Sequence, residues 1–143
     1  MRFRFTGLDP TMFRDLHALP DADLAARCVQ RVRVTEKPGA PCRASLADAE
    51  IGEQVLLLSF EHQSANTPYR QQGPIFVREG QTRFDAVNAV PSALRCRTLS
   101  LRGFDIEGSM VEAEVVEGAG ASAMIETFFT NPRVAYIQAH YAK

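Results

Sequence analysis

The sequence predicts an α+β fold, in which a mixed or mostly antiparallel sheet of five to six strands is accompanied by three to four short helices. Two observations predict this class. Segments in which apolar and polar residues alternate recur along the chain, and short stretches of helical spacing separate them. Two of these segments, residues 96–104 and 110–117, are joined by residues 105–109, whose composition is typical of a hairpin turn. No repeat, low-complexity segment or linker interrupts the pattern, so we expect a single domain over residues 1–143.

The N-terminal region predicts one strand followed by two helices. Residues 2–7 alternate phenylalanine with arginine and threonine, which favours a short strand with one buried face. Asp9 followed by Pro10 is typical of a helix start, because the carboxylate can cap the first turn and proline fits there. A second Pro-Asp pair begins the next predicted helix, in which Leu24 and Cys28 align at a four-residue spacing.

The middle of the chain predicts three strands. Residues 29–35 alternate valine with arginine, and the proline- and glycine-rich residues 37–41 form a loop. Residues 53–62 give the strongest strand, with apolar side chains on both faces, which is typical of a central strand covered on two sides. Residues 75–78 give the next strand.

The C-terminal region predicts helical segments on either side of the hairpin, and a final strand. The spacing of apolar residues over 84–90 indicates a short helix, and Pro91 can open a further turn. Residues 121–130 predict a helix that ends at an Asn-Pro pair. Residues 134–141 predict the last strand.

The composition bounds the class of protein. The formal net charge is -1, from 16 basic and 17 acidic residues, so no basic field favours nucleic acid or an anionic membrane surface as a partner. The N-terminus lacks the apolar stretch of a secretory signal, and no apolar run is long enough to span a bilayer. The three cysteines, Cys28, Cys42 and Cys96, form no CxxC pair. We therefore expect reduced thiols and a cytoplasmic location.

The most informative segment is the polar loop that follows the strongest predicted strand. His62 leaves that strand, and an imidazole titrates near neutral pH, so His62 could exchange a proton or bind a ligand. Thr67, Tyr69 and Arg70 could hydrogen-bond to, stack on or ion-pair with a ligand. The connection from about residue 63 to 73 is long for a hairpin, and long ordered loops often carry function. The alternative is that these groups only satisfy the loop backbone, with Tyr69 packed as a lid.

A cysteine gives a second candidate chemistry. Cys42 could act as a nucleophile if Arg43, His62 or His140 stabilised its thiolate. The alternative is that Cys42 is a small buried residue beside a proline turn. Glu61 points to the opposite face of the strand from His62, so these neighbours do not form one catalytic pair.

We predict neither a cofactor nor a metal. His17, His62 and His140 show no spacing that is typical of metal ligands. The glycines of residues 118–120 are too few and too close to match a nucleotide-binding fingerprint.

The segment PCRASLADAEIGEQVLLLSFEHQSANTPYRQQGPIFVREG resembles a bacterial family known only as domain of unknown function twelve-oh-three. The pattern that carries the resemblance is C-R-x-S-L-x-D-A-x-x-G-E-x-V-L-L-L, followed by E-H-Q, T-P-Y and I-F-V-R-E. In this chain its positions are Cys42, Arg43, Ser45, Leu46, Asp48, Ala49, Gly52, Glu53, Glu61, His62, Gln63, Thr67, Pro68, Tyr69 and Arg78. The resemblance extends over nearly the whole chain and implies no activity, substrate or cofactor. Family members run on past a His-x-Ala-Lys segment into a short tail with glycine and cysteine, whereas this sequence stops at residue 143.

Three functions are consistent with these residues. The leading hypothesis is a small-molecule or anion-binding domain, built from His62, its loop residues Thr67, Tyr69 and Arg70, and Arg43. The second is a small enzyme with His62 as general acid or base and Cys42 as a possible nucleophile. The third is a structural or protein-interaction domain. The oligomeric state cannot be read from the pattern, although a terminal strand could serve as a pairing edge.

Overall fold

The computed structural model describes residues 2–143, which fold as two compact units. The first unit comprises residues 6–60 and 72–85, and the second comprises residues 2–5, 61–71 and 86–143. The prediction of a single domain stays a prediction, because two compact units can still unfold together.

The α+β class is confirmed, but its strands are distributed differently from the single sheet that was expected. The strands are β1 (Arg4–Thr6), β2 (Gln30–Arg33), β3 (Gln54–Gln63), β4 (Gln71–Arg78), β5 (Asp85–Val87), β6 (Thr98–Phe104), β7 (Met110–Glu117) and β8 (Tyr136–Tyr141). The helices are α1 (Arg14–His17), α2 (Asp21–Ala26), α3 (Ser92–Arg95) and α4 (Ala121–Phe128), with 3-10 turns at Pro10–Phe13 and Gly118–Gly120. Within residues 2–143 the strands form three small antiparallel sheets, in the orders β1-β5, β2-β3-β4 and β7-β6-β8. Alternation identifies a strand but not its partner, which is why one sheet was expected where three form.

Strand β3 is the central strand of its sheet, as its apolar pattern predicts. It pairs antiparallel with β2, and Arg31 lies opposite Leu56. On one face Leu56 and Leu58 belong to a hydrophobic cluster with Phe13, and Val55 belongs to a second cluster on the other. Because both faces of β3 are buried, its sequence reads as a nearly continuous apolar run rather than a clean alternation.

The two N-terminal helices are shorter than their sequence patterns indicate. Asp9 forms a cap as predicted, but it caps the 3-10 turn at Pro10–Phe13 that precedes α1, where its side chain accepts a hydrogen bond from the Thr11 amide at 3.0 Å. Helix α2 ends at Ala26, and Leu24 is buried in the core of the first unit. The expected alignment of Leu24 with Cys28 on one helix is wrong. Cys28 lies beyond the helix with φ of 57°, which is the left-handed conformation that ends it.

The helix expected over residues 84–90 is also wrong, because strand β5 forms there and pairs with β1. Asn88 ends this strand with φ of 54°. Its side-chain oxygen accepts hydrogen bonds from the amides of Arg2 at 2.9 Å and Phe3 at 3.1 Å. An apolar residue at every third position fits one face of a helix, but here backbone pairing with a distant strand decides the conformation.

The sheet of the second unit has one apolar and one polar face. Strand β6 lies between β7 and β8, and on one face Leu99 and Leu101 are fully buried. Helix α4 contacts β6 and β7 and buries Ile125 and Phe128. The alternate residues of β6, with their partners on β8, form the other face, which we call the polar face. It is defined by Thr98, Ser100, Arg102, Gln138 and His140.

Among residues 2–143, no helix has both the length and the apolar character that a bilayer crossing requires.

A close backbone contact fixes the junction between β7 and α4. A Cβ atom at Gly118 would overlap the carbonyl oxygen of Leu94, and the Gly118 amide donates to the Arg97 carbonyl at 2.8 Å. Gly120, two residues later, has room, because its Cβ would lie 3.4 Å from the nearest side-chain atom, on Val116.

We therefore expect Gly118→Ala to lower the free energy of unfolding by at least about 2 kcal/mol, since backbone must move to admit the methyl group. Gly120→Ala is the matched control and should change stability by less than about 1 kcal/mol. Urea denaturation followed by circular dichroism measures both. Equal effects of the two substitutions would contradict the close-contact explanation.

Candidate functional site

The centre of the candidate site is a pair of histidines joined by one glutamine. His62, in the last residues of β3, and His140, in β8, both lie within hydrogen-bond distance of the Gln138 side-chain oxygen. Their Nδ1 and Nε2 atoms lie 3.1 and 3.0 Å from it, respectively. The two rings pack edge to face with centroids 4.4 Å apart. The Gln138 side-chain nitrogen donates to the backbone carbonyl of His62 at 2.7 Å. All three residues belong to the second unit and are partly buried.

These contacts determine which nitrogen of each ring carries a proton. The carbonyl of His62 can only accept a hydrogen bond, so the nitrogen of the Gln138 amide must face it. The oxygen of the same amide therefore faces both rings, and each ring donates an N–H to it. In the neutral state this arrangement protonates His62 at Nδ1 and His140 at Nε2, and leaves the lone pair on His62 Nε2 and His140 Nδ1. The pair can thus accept protons at two defined atoms.

An arginine on the neighbouring strand adds positive charge to the same face. The strand register places Arg102 beside Gln138 and Ser100 beside His140. Arg102 donates to the side-chain oxygen of Gln71 at 2.9 Å and makes a longer contact of 3.4 Å with the Ser100 hydroxyl. Both partners are neutral, so its positive charge is not balanced by these contacts.

Packed contacts bound the polar face at both ends. At one end Phe104 stacks on Tyr136 with centroids 5.4 Å apart, and the Tyr136 hydroxyl accepts a hydrogen bond from Gln63 at 2.8 Å. At the other end Thr98 donates its hydroxyl proton to Glu117 at 2.9 Å. The residues between these ends are the histidine pair, its glutamine, Ser100 and Arg102.

The predicted loop residues are held within the second unit by hydrogen bonds and an ion pair. Thr67 donates to the carbonyl of Gly108 at 3.2 Å and accepts from the Tyr69 amide at 3.2 Å. Tyr69 is 41% exposed. Arg70 forms an ion pair with Glu61 at 2.6 Å on the surface. Thr67 thus orders the loop, and the charge of Arg70 is balanced by a carboxylate.

Cys42 and Arg43 lie in the first unit, whereas His62 lies in the second. Cys42 is fully buried, and its sulfur accepts a hydrogen bond from the Arg78 amide at 3.4 Å. The backbone of Arg43 donates to the carbonyl of Phe76 at 3.0 Å. The burial of Cys42 agrees with the reading of a small core residue, since reactive cysteines are solvent-accessible.

The first unit holds a strong ion pair between two residues of the family pattern. Arg78 donates two hydrogen bonds to Glu53, at 2.7 and 2.9 Å, and the side chains are 15% and 24% exposed. This guanidinium holds the pKa of the Glu53 carboxyl below its ordinary value. The pair joins the start of β3 to the end of β4, which is a structural role.

Three members of the site were not identified from the sequence. Ser100, Arg102 and Gln138 are ordinary polar residues of strands, and no motif distinguishes them. The available signal was the alternation of β8, which puts Gln138 and His140 on one face, and that of β6, which puts Ser100 and Arg102 on one face. The sequence does not say that the end of β3 would lie against that face.

Two further features of the structure bear on ligands. No group of three or more His, Cys, Asp or Glu residues that could hold a metal ion occurs within residues 2–143. A surface cavity of about 290 Å³ is lined by Arg2, Glu126, Phe129 and Thr130, and none of the predicted site residues lines it.

The fold and the site define an α+β protein with a polar site formed on one sheet face, and comparison with known proteins adds a family. Residues 39–143 match the family described as "Protein of unknown function (DUF1203)", and the chain belongs to this family. The resemblance carried by the central sequence pattern is thereby confirmed. Searches of curated proteins and of solved structures gave no match.

The Glu53–Arg78 pair should make stability depend on pH. The pKa of Glu53 is lowered in the folded state, so the pair contributes stability that is complete above the ordinary value of 4.5 and is lost as pH falls through the folded value. We expect Glu53→Gln to cost about 1–3 kcal/mol at pH 7, and this difference from the wild type should shrink below about pH 4.5. Urea denaturation at a series of pH values measures it.

The surface pair Glu61–Arg70 provides the matched control for this experiment. Both of its side chains are much more exposed, at 40% and 58%, so solvent screens their attraction. Glu61→Gln should therefore cost far less than Glu53→Gln at pH 7. A Glu53→Gln penalty that stayed constant from pH 7 to pH 3 would contradict the proposed linkage.

The Gln138 contacts predict the protonation of both histidines. Above the pH at which the rings titrate, ¹⁵N NMR should show His62 protonated at Nδ1 and His140 at Nε2. Gln138→Leu removes the shared acceptor, so the His62 ring should lose its preference for Nδ1. An unchanged His62 tautomer in this variant would show that another group sets it.

Proposed function

We propose that the second unit binds a small molecule through an anionic group on its polar face. The observation that carries the proposal is the placement of Arg102, whose guanidinium is hydrogen-bonded to neutral groups and lies in register with Gln138 of the histidine pair. A carboxylate or a phosphate would supply the negative charge that the protein contacts of Arg102 lack.

A comparison with three other arginines of the second unit supports this assignment. Arg2 pairs with Glu126 at 2.9 Å, and Arg70 pairs with Glu61 at 2.6 Å. Arg133 approaches Asp105 at 3.8 Å. Arg102 instead meets an amide oxygen and a hydroxyl. A ligand anion would therefore compete with no carboxylate at Arg102, whereas it would have to displace one at Arg70.

The other groups of the face complete an anion site. Ser100 can donate a hydroxyl proton, and a protonated imidazole of His62 or His140 can donate an N–H. The rings are only 4.4 Å apart, so charging both at once is opposed by their repulsion. A bound anion would favour the singly charged pair.

The direct ligand contacts expected for Arg43, Thr67, Tyr69 and Arg70 stay predictions. In this proposal Thr67 and Tyr69 order the loop next to the site, and Arg102 takes the role first assigned to Arg70. The expected cytoplasmic location and bacterial origin are part of the same proposal.

The contact of Gln138 with His62 favours a second candidate, an enzyme in which His62 is the general acid or base. A general base needs its lone pair on a defined atom, and the Gln138 amide supplies that definition by holding Nδ1 protonated. A bound ligand that is chemically altered during incubation, as followed by its own NMR spectrum, would favour this candidate. A ligand that stays unchanged would favour binding alone.

The proposed anion site is tested by removing one charge at a time. We expect Arg102→Met to weaken the binding of inorganic phosphate or acetate at least about tenfold, because a charged hydrogen bond contributes about 1.5–3 kcal/mol. Arg70→Met is the matched control, and it should leave affinity nearly unchanged. A two-dimensional NMR titration measures both affinities and reports the residues whose signals shift.

Three results would decide between the alternatives. Loss of binding in Arg70→Met but not in Arg102→Met would show that the anion binds at the loop that contains Arg70, as the sequence predicts. Loss in neither variant would place anion binding elsewhere. Absence of any binding by the wild type would contradict the proposed function.

A further inference from the structure

The polar face has an apolar border on one side. The register of β6 with β7 places Ala113 beside Arg102 and Val115 beside Ser100, on the same face as the histidine pair. Ala113 is exposed, and Val115 is 61% exposed. The Gly118 amide donates to the Arg97 carbonyl at 2.8 Å, so along this register the hydrogen-bonded pairs with β7 are those of Arg97, Leu99 and Leu101. The amide of Val115 bonds to the side chain of Glu114 at 3.2 Å. Ser100 and Val115 therefore form the close, non-hydrogen-bonded kind of antiparallel pair, whose side chains lie next to each other.

The other sides of the polar face are covered. The backbone and ring of His62 lie against Gln138 and His140 on the β8 side. Gln63 and Tyr136 close one end, and Thr98 and Glu117 are hydrogen-bonded at the other. A molecule whose anionic group lies at Arg102 therefore extends over β7.

We infer that the ligand is an anion with an apolar body, whose charged group lies at Arg102 and whose apolar part lies across Ala113 and Val115. This inference rests on the proposed function and specifies the substrate class. Adjacent strands are about 5 Å apart, so the apolar part matches a chain of roughly four to six carbons or one aromatic ring. Small alkyl or aryl carboxylates have this chemistry, and highly hydroxylated anions such as sugar phosphates do not.

The negative charge of β7 determines how the ligand is oriented, and it argues against a second copy of the chain at this edge. Glu117 lies on the same face as Val115, whereas the register places Glu114 opposite Leu101 and Glu112 opposite Gly103, on the other face of the sheet. Together these residues make β7 negative as a whole, which opposes an anionic group there and leaves the uncharged end of the ligand over β7. Pairing of β7 with another β7 would bring these carboxylates together, and like charges across a strand pair are destabilising.

The test compares acetate with hexanoate, which share a carboxylate and differ in apolar length. In NMR titrations we expect hexanoate to bind the wild type at least about tenfold more tightly than acetate, because each buried methylene contributes roughly 0.8 kcal/mol when fully covered. Val115→Ser should reduce this advantage about three- to fivefold while leaving acetate affinity unchanged. Val87→Ser is the matched control, since Val87 is a valine of β5 that is 52% exposed, and it should leave the advantage intact.

The outcomes separate this inference from the proposed function. If acetate binds and Arg102→Met weakens it, but hexanoate binds no more tightly, the apolar inference is overturned and the anion site stands. If neither carboxylate binds, or Arg102→Met has no effect on either, the proposed function fails as well. A wild-type dimer that Val115→Ser converts to a monomer, measured by light scattering, would assign the β7 face to a second copy and overturn the inference.

Discussion

The carboxamide of Gln138 is the constraint on which the candidate site depends. Its nitrogen is held by a backbone carbonyl of His62, so its oxygen must face both imidazoles. One planar group thus fixes the positions of two rings and determines at which nitrogen each ring is protonated. A glutamine at this position has no charge of its own. The site therefore keeps the positive character that Arg102 gives it, which a carboxylate in the same place would cancel.

Two arginines of the chain differ in the charge of their partners, and this difference bears on their roles. In the first unit Glu53 and Arg78 meet with two hydrogen bonds, and both charges are satisfied within the protein. Such a pair is costly to break and holds two strands together. In the second unit Arg102 is held by an amide and a hydroxyl, which position the guanidinium without neutralising it. A cation that is oriented but not neutralised is suited to an exchangeable partner.

The sequence predicts much of the local structure, because a long apolar run identifies β3, and period-two alternation identifies the hairpin of β6 and β7 and the strand β8. It fails where a distant backbone partner decides the conformation, as over residues 84–90, where pairing with β1 replaces the expected helix. It also cannot say how strands group into sheets. The sequence does identify His62 and His140 as candidate functional residues, because an imidazole can exchange a proton near neutral pH. The roles of Arg102 and Gln138 follow only from the register in which β6 pairs with β8. The alternation of residues along one segment does not predict that register.

The different exposures of the cysteines have a consequence for measuring how the protein moves. Cys28 and Cys96 are exposed, whereas Cys42 is fully buried among the strands of the first unit. A thiol reagent reaches Cys42 only when its surroundings open, so the rate at which Cys42 is labelled reports the free energy of that opening. The two exposed thiols react in the closed state and calibrate the intrinsic rate. The labelling rate of Cys42, compared with those of the two exposed cysteines, thus measures local unfolding within the same chain.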